Sequence, residues 1–450
     1  MKVATLNCNK RLTNKKAASK LEIWLEKNQI DLLLAQEPWN HGNKLPAEFL
    51  YYKPLGGNSR VFAWIKEGYG INNMQLPQPY WQIISLDYIL INNLYLDAYK
   101  RTIRGEQLNI VSKQLASFGD QPQIIVGDFN IAPSPEDGLT ANSPSNFNGP
   151  EDRMPLTNLN TELKLIDTTS KEILGQQEFT IIKKMGGSQS RFRCDLCLVS
   201  DYLYYGNMFQ VKYDHSVRVS ESGFTDHSAV IFDVPVTLTR KKEEFQRTLF
   251  PLDFPEENDD ANKNEYFPHK TAMARTTPSP IAKLIGEGGL AKKLGGVQRI
   301  LDYGCGRGRD VEYYRKMGFD TQGFDQYPAF GFSDEPSGLF DLVCIVFVIN
   351  VLPNCWERLQ VIKKAAEKIK LGGYMIMVAR SPETIEFEAS SKGWKRHNDG
   401  YWSHEGRGTF QKGISIQELK ILAERAGLKP HQANKEITLD MSSSWLLVTK

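Results

Sequence analysis

At 450 residues the chain is longer than one hydrophobic core usually serves, so its length calls for two domains or three. A composition of 41% hydrophobic and 24% charged residues excludes a disordered chain, and a formal net charge of +2 neither demands nor forbids a polyanionic partner. The six cysteines, Cys8, Cys194, Cys197, Cys305, Cys344 and Cys355, lack the paired spacing of a disulfide framework, which excludes a stapled secreted module and points to a reducing compartment.

No apolar run approaches the roughly 18 residues of a membrane span. The start MKVATLNCNKR enters a strand pattern directly rather than a signal peptide, so a cytoplasmic location without a membrane partner is expected. Lys2 to Leu6 reads as that strand, with Asn7, Cys8 and Asn9 in the loop after it. Lys15 to Asn28 has helical spacing, with Ala18, Leu21, Trp24 and Leu25 as its apolar stripe. The next strand, Ile30 to Ala35, runs into Gln36-Glu37-Pro38-Trp39. A carboxylate at the end of a buried strand is costly unless it meets a metal or a cation, which makes Glu37 a candidate ligand.

Strand-like segments follow at Arg60 to Ile65 and Trp81 to Tyr99, then a helix from about Gly105 to Phe118 with Arg101, Arg104 and Lys113 as positive charge near it. In Ile124 to Asp137, IIVGDFNIAPSPED, a strand without room for charge releases Asp128 and Asn130 at its end. Taken alone this is either an Asx/Pro turn or a loop presenting a carboxylate and an amide to a metal and a phosphate. Asn142 to Pro155, rich in Ser, Asn, Pro and Gly, reads as a loop. Arg193-Cys194-Asp195 lies on a strand. Cys194 and Cys197 form a C-x-x-C, but residues three apart on the alternating run Phe192 to Val199 face opposite ways, which argues against a zinc or redox pair. Thr225-Asp226-His227-Ser228 leads into a strand from Ala229 to Val234, while a second Asp-His-Ser, Asp214-His215-Ser216, competes with it for the Asp-His pair but lacks the leading Thr and the uninterrupted apolar strand, and reads rather as a strand end.

LNCN, AQEPW, DAY, VGDFNIAP, RCDLCLVS and TDHSAVIF occur in the order and at about the spacing found in the endonuclease/exonuclease/phosphatase superfamily, which this half resembles; AQEPW is also similar to endonuclease modules of some retrotransposons. The resemblance implies an α/β four-layer sandwich over residues 1–237, two packed mixed sheets flanked by helices, and phosphodiester hydrolysis with Mg2+ or Mn2+. It assigns Glu37 to the metal with Asn9 and Asp226, and Asn7 beside them. Asp128 orients or deprotonates the water, Asn130 holds the phosphate, and His227, oriented by Asp195, stabilises it; Tyr99 donates to the phosphate or the leaving oxygen. Asn9 replaces an Asp that many relatives carry, which removes one possible metal carboxylate.

Residues 238–265 carry mixed charge with little periodicity and read as a linker. In the remaining 266–450, a strand from Val297 to Tyr303 is followed by Gly304, Gly306 and Gly308 opening a helix, Val311 to Met317. Glycines there let backbone approach a ligand, and a second strand ends in Asp325, where a carboxylate can accept from ribose hydroxyls. The residues alone leave NAD and S-adenosylmethionine open. With Asp302 leading D-x-G-x-G-x-G, and with Phe340-Asp341-Leu342-Val343 and Leu371-Gly372-Gly373 downstream, this half resembles a Rossmann-like class I S-adenosylmethionine-dependent methyltransferase. His269-Lys270-Thr271-Ala272, FVINVLP and Gly408-Thr409-Phe410-Gln411-Lys412 are similar to methyltransferases associated with DNA phosphorothioation.

The gap after Asp325 is too short for a full third strand and helix. Asn350 either lines the pocket near the methyl group or serves as a helix-start amide. Gly408 to Lys412 is a phosphate-binding segment or a hairpin, and Ser415 with Glu418 makes a capping box. The two resemblances together imply a bifunctional nucleic-acid enzyme, with DNA ahead of RNA as partner. The alternatives are a phosphatase on a small phosphoester, and a C-terminal module that binds S-adenosylmethionine or a modified base without transferring a methyl.

Overall fold

The computed structural model describes residues 1–39, 49, 51–185, 188–207, 209–218, 223–235, 266–272, 275–432 and 442–450. The chain divides into two compact units, Met1–Gln246 and Arg247–Lys450. The expected linker 238–265 lies outside the described residues.

The first unit is built on two six-stranded sheets. One runs in the order Val211–Asp214, Ala229–Asp233, Lys2–Asn7, Leu32–Gln36, Val61–Lys66, Tyr52–Gly57. The other runs Leu165–Asp167, Asp195–Ser200, Gln123–Asp128, Ile89–Tyr95, Trp81–Leu86, Asn73–Gln78. Each holds one parallel pair, Lys2–Asn7 with Leu32–Gln36 and Ile89–Tyr95 with Gln123–Asp128, and is otherwise antiparallel, so both are mixed. Central strands are buried on both faces, which is why they read as continuous apolar runs. Where the sheets meet, Gln36 Nε2 donates to Asn93 Oδ1 at 2.6 Å and to Thr5 Oγ1 at 2.8 Å, while Gln36 Oε1 is buried without a hydrogen-bond partner.

Helices cover the outer faces. Lys15–Lys27 is capped by the Asn14 side chain, which accepts from the Lys16 N–H at 2.9 Å, and it buries Ala17, Ala18, Leu21, Trp24 and Leu25 against the first sheet. On the second sheet lie Arg101–Ala116 and Pro150–Glu162. These depart from expectation. The first starts four residues earlier than the spacing predicts, and the second begins inside the segment expected to be a loop. Pro150 supplies a first-turn proline, and the Asp152 carboxylate accepts from the Gly149 N–H at 2.9 Å. Pro155 inside that helix leaves the Glu151 carbonyl without its usual donor. Gly105 of the neighbouring helix closes on that carbonyl so tightly that a Cβ would lie 2.2 Å from it. Arg104, expected as positive charge near the helix, is buried within it and held by Asp152 at 2.7 Å.

The second unit has a six-stranded sheet ordered Asp320–Phe324, Arg299–Tyr303, Phe340–Val346, Ile369–Arg380, Ser443–Thr449, Lys429–Pro430. The first four strands are mutually parallel and the last two pairings antiparallel. Between Phe324 and Phe340 the chain makes only a short turn of helix, Pro328–Phe330, so the sheet ends at Asp320–Phe324 on that side, as the short gap implies. A separate antiparallel sheet, Lys395–His397, Gly400–His404 and Thr409–Gln411, settles the Gly408 to Lys412 segment as part of a hairpin. Lys412 at its end is buried against Glu418. Ser415 does cap its helix, accepting from the Glu418 N–H at 3.1 Å. The Glu418 carboxylate instead joins Arg358 and Lys412, so only half the expected capping box forms.

Candidate active sites

In the first unit the polar residues at four strand ends converge. Asp128 closes its strand in register with Tyr95 on one side and Asp195 on the other. Gly127 before it has φ +133, and a Cβ there would lie 2.0 Å from the Leu94 carbonyl, so the approach of these strands requires glycine. The Asn7 amide donates to Asp128 Oδ2 at 2.8 Å, and the Asn130 backbone N–H donates to Oδ1 at 2.9 Å. The Asn130 amide donates to the Leu96 carbonyl at 3.0 Å, which fixes its orientation. Burial pushes the Asp128 carboxyl up to about 6, with His227 and the two donors opposing.

His227 is buried, and its Nδ1 lies 2.9 Å from Asp195 Oδ2. Its Nε2 faces Asp128 Oδ2 at 4.0 Å. Burial opposes charge on the imidazole, but the Asp195 and Asp128 carboxylates outweigh it and raise the group to about 9. Thr225 ties this loop to the first strand by donating to the Asn7 carbonyl at 2.7 Å.

At the rim, the Asn9 amide donates to Asp226 Oδ1 at 2.8 Å, and Lys183 Nζ lies 3.5 Å from Asp226 Oδ2. Glu37 is paired with Lys10 at 3.2 Å. The phenol of buried Tyr95 is raised by burial, by Asp128 and by Glu37, with which it also shares a hydrogen bond. Asn9, Lys10, Glu37 and Asn130 have φ of +46, +60, +43 and +50, left-handed conformations that non-glycine residues hold only where their surroundings impose them.

Tyr99 is not brought into this cluster. It is 85% exposed, and its backbone N–H donates to Asp97 Oδ1. The competing Asp214 accepts from Trp24 Nε1 at 2.9 Å, and His215 lies between Ser228 and Glu178. Sequence reasoning missed Lys10, Lys183 and Tyr95. For Tyr95 the only signal was an aromatic hydroxyl at the end of a buried strand.

The oxygen donors Glu37, Asp226 and Asn9 suit Mg2+ or Mn2+, and the lysines beside both carboxylates mark where positive charge is wanted. Among the described residues the compact group of metal-ligand types is a different one, Asp128, Cys194 and His227.

In the second unit Gly304, Gly306 and Gly308, at φ +82, +52 and +70, carry the backbone from Arg299–Tyr303 into the helix Arg309–Lys316. A Cβ at Gly304 would meet Val348 at 2.3 Å, and one at Gly308 would meet the Phe332 ring at 2.3 Å. Asp325 accepts from the Gly306 N–H at 2.8 Å and from the Tyr327 N–H at 3.0 Å, and burial raises its carboxyl. His269 stacks on Tyr327 at 3.8 Å between centroids.

Asp302 is buried; burial, then Asp310, pushes it up to about 8, with Arg275 opposing. Asp310 itself accepts from the Ser279 N–H at 2.7 Å and from Arg275 at 3.1 Å. Asn350 sits in the turn Ile349–Val351 and donates to Gln411 Oε1 at 3.0 Å, while its Oδ1 is buried without a hydrogen-bond partner. A glycine-lined cradle, an acidic strand end and an orphaned amide oxygen fit a nucleoside-bearing cofactor such as S-adenosylmethionine.

Among the described residues no helix is long and apolar enough to cross a membrane. Residues 4–227 match the family model described as Endonuclease/Exonuclease/phosphatase family, and residues 270–433 match one described as Methyltransferase domain. Similar solved structures include the endonuclease domain of TRAS1, a telomere-specific non-LTR retrotransposon, at 14% identity and a TM-score of 0.40, covering 52% of this chain and 98% of that one. Another is D. rerio TDP2 complexed with single strand DNA product, at 15% identity and a TM-score of 0.36, covering 52% of this chain and 99% of that one. No curated protein matches the chain. The chain thus joins an endonuclease/exonuclease/phosphatase-family domain to a methyltransferase domain.

Proposed function

We infer that the first domain is a divalent-metal-dependent phosphodiesterase acting on nucleic acid, DNA ahead of RNA, and that the second transfers a methyl group from S-adenosylmethionine, also to nucleic acid. The observation that carries the first reading is the buried line from Asp195 through His227 to Asp128 and Asn7. Mg2+ or Mn2+ held by Glu37, with Asn9 and Asp226, supplies charge neutralisation on the phosphate. Asp128, ionised near neutral pH and aimed by Asn7 and the Asn130 N–H, takes the proton of the attacking water. His227, charged and oriented through Nδ1 by Asp195, offers Nε2 to a phosphate oxygen. Asn130 is a positioning residue for Asp128, and its amide, shared between the Leu96 carbonyl at 3.0 Å and Asp128 Oδ2 at 3.3 Å, donates to a phosphate by giving up one of the two.

In the second domain Asp325 accepts from the ribose hydroxyls, the glycine loop borders the cofactor, and Asn350 Oδ1 accepts from a polar group at the methyl-transfer end. The experiment is incubation of the full chain with labelled S-adenosylmethionine, with and without Mg2+, and with separate pools of DNA, RNA and protein. Mg2+-dependent cleavage of a nucleic-acid pool together with label in that pool supports both readings. Label in protein alone, or cleavage indifferent to chelation, removes the corresponding one.

A further inference from the structure

Cys194 has no part in the hydrolytic reading, yet it is packed against that centre. It is buried, and its Sγ lies 3.7 Å from Asp195 Oδ2 and 3.7 Å from Thr180 Oγ1. One ligand atom from each of Asp128, Cys194 and His227 lies within 4.8 Å of the other two. Tetrahedral zinc, with bonds of about 2.3 Å to sulfur and about 2.0 Å to nitrogen or oxygen, places its ligand atoms roughly 3.3–3.7 Å apart, so closure by about an ångström brings all three onto one ion.

The imidazole is already set for that role. Its Nδ1 is held by a carboxylate at 2.9 Å, the outer-sphere arrangement that orients a metal-binding histidine and leaves Nε2 as the ligand nitrogen. Nε2 is 4.0 Å from Asp128 Oδ2, too far for a hydrogen bond and close enough for an ion between them. Ligand softness then selects the ion. Sulfur, imidazole and one carboxylate suit Zn2+ or Co2+, whereas Mg2+ prefers six oxygens at about 2.0–2.1 Å.

We propose that Asp128, Cys194 and His227 form a site for a thiophilic divalent cation, zinc above all, inside the hydrolytic centre and distinct from the carboxylates of Glu37 and Asp226. Cys194 binds as the thiolate and His227 as the neutral imidazole, so the thiol proton and the Nε2 proton of the imidazolium both pass to solvent. Occupation engages the Asp128 carboxylate and His227 Nε2 together and closes the centre. That inhibitory consequence rests on the hydrolytic reading, but the binding itself does not. The other cysteine of the C-x-x-C, Cys197, lies in register with Val126 within the strand and is outside the ligand group.

Co2+ titrated into the full chain provides the test. The near-ultraviolet sulfur-to-cobalt absorption should saturate at one equivalent, disappear on adding Zn2+, and persist in excess Mg2+. Cys194→Ser should lose the band and weaken Zn2+ binding by more than the roughly 10–100-fold typical of losing an outer-sphere partner, while Cys197→Ser keeps both. Absence of the band in the wild type overturns the proposal whatever the variants do, and so does a band surviving in Cys194→Ser. In parallel, Zn2+ added against saturating Mg2+ should suppress wild-type cleavage. A cobalt band in a chain that cleaves nothing leaves the site standing and removes the hydrolytic reading, and cleavage without a band does the reverse.

Discussion

Two buried aspartates, one in each domain, are held in opposite states by their neighbours. Asp128 accepts from Asn7 and the Asn130 N–H and faces His227, so it stays near 6 despite complete burial, beside an imidazole raised to about 9. Asp302 is raised by burial and then by the Asp310 charge, with only Arg275 opposing, to about 8. Between these values the first is an anion beside a cation and the second a neutral acid. Burial alone therefore does not mark a catalytic carboxylate. The donors around it decide whether it is prepared to accept a proton or to keep one.

Removing the anion breaks the first half of that comparison with the largest effect. Asp128→Ala should lower Mg2+-dependent cleavage of a plasmid by about 10²–10⁴-fold with the fold intact by circular dichroism; retained cleavage takes Asp128 out of the mechanism. Asp195→Asn acts one step away. It should cost roughly a hundredfold and also draw the alkaline limb of the rate profile below its wild-type position near 9, because Asp195 is the strongest support of the His227 charge. A loss in rate with the limb unmoved would reduce Asp195 to a packing role. In the second domain Asp325→Asn should weaken S-adenosylmethionine binding by roughly tenfold in calorimetry, the cost of exchanging a charged acceptor for a neutral one. Unchanged affinity would place the cofactor elsewhere.

How much of this could be read beforehand follows from the same physics. Asn7, Asp128 and the turn before Ala229–Asp233 were visible because strands with no room for charge end abruptly in polar residues. The family spacing of RCDLCLVS and TDHSAVIF then joined Asp195 to His227. Lys10 and Lys183 were invisible, since nothing in a loop lysine or an edge-strand lysine tells which carboxylate it will meet once two distant segments fold together. Tyr95 was not singled out within the strand-like run Trp81 to Tyr99. Tyr99 was placed in the site from the DAY motif, but it emerges 85% exposed, beyond the end of the strand that buries Tyr95. The helix Pro150–Glu162 escaped because its start is encoded by Pro150 and Asp152 inside a stretch whose composition favours turns. Gly304, Gly306 and Gly308 were legible for the opposite reason: three glycines between a strand and a helix have few other uses.

The smallest expected effect sharpens the second half of the comparison. In the folded chain Asp302 holds its proton up to about 8, against the ordinary 3.8 of the carboxyl in the unfolded chain. The native state therefore binds more protons than the unfolded state across that interval, and stability falls as pH rises through it. The contribution is complete below 3.8 and is lost progressively towards 8. Asn is nearly isosteric with the protonated acid and cannot ionise. Asp302→Asn should accordingly match wild type to within about a kilocalorie per mole, the scale of one net hydrogen bond, only near pH 3.8, and flatten the decline seen on moving to about pH 8. Melting curves of both proteins at three pH values spanning that interval decide it. A decline of equal slope in the variant would show that Asp302 is ionised throughout, balanced by Arg275, and would erase the contrast with Asp128.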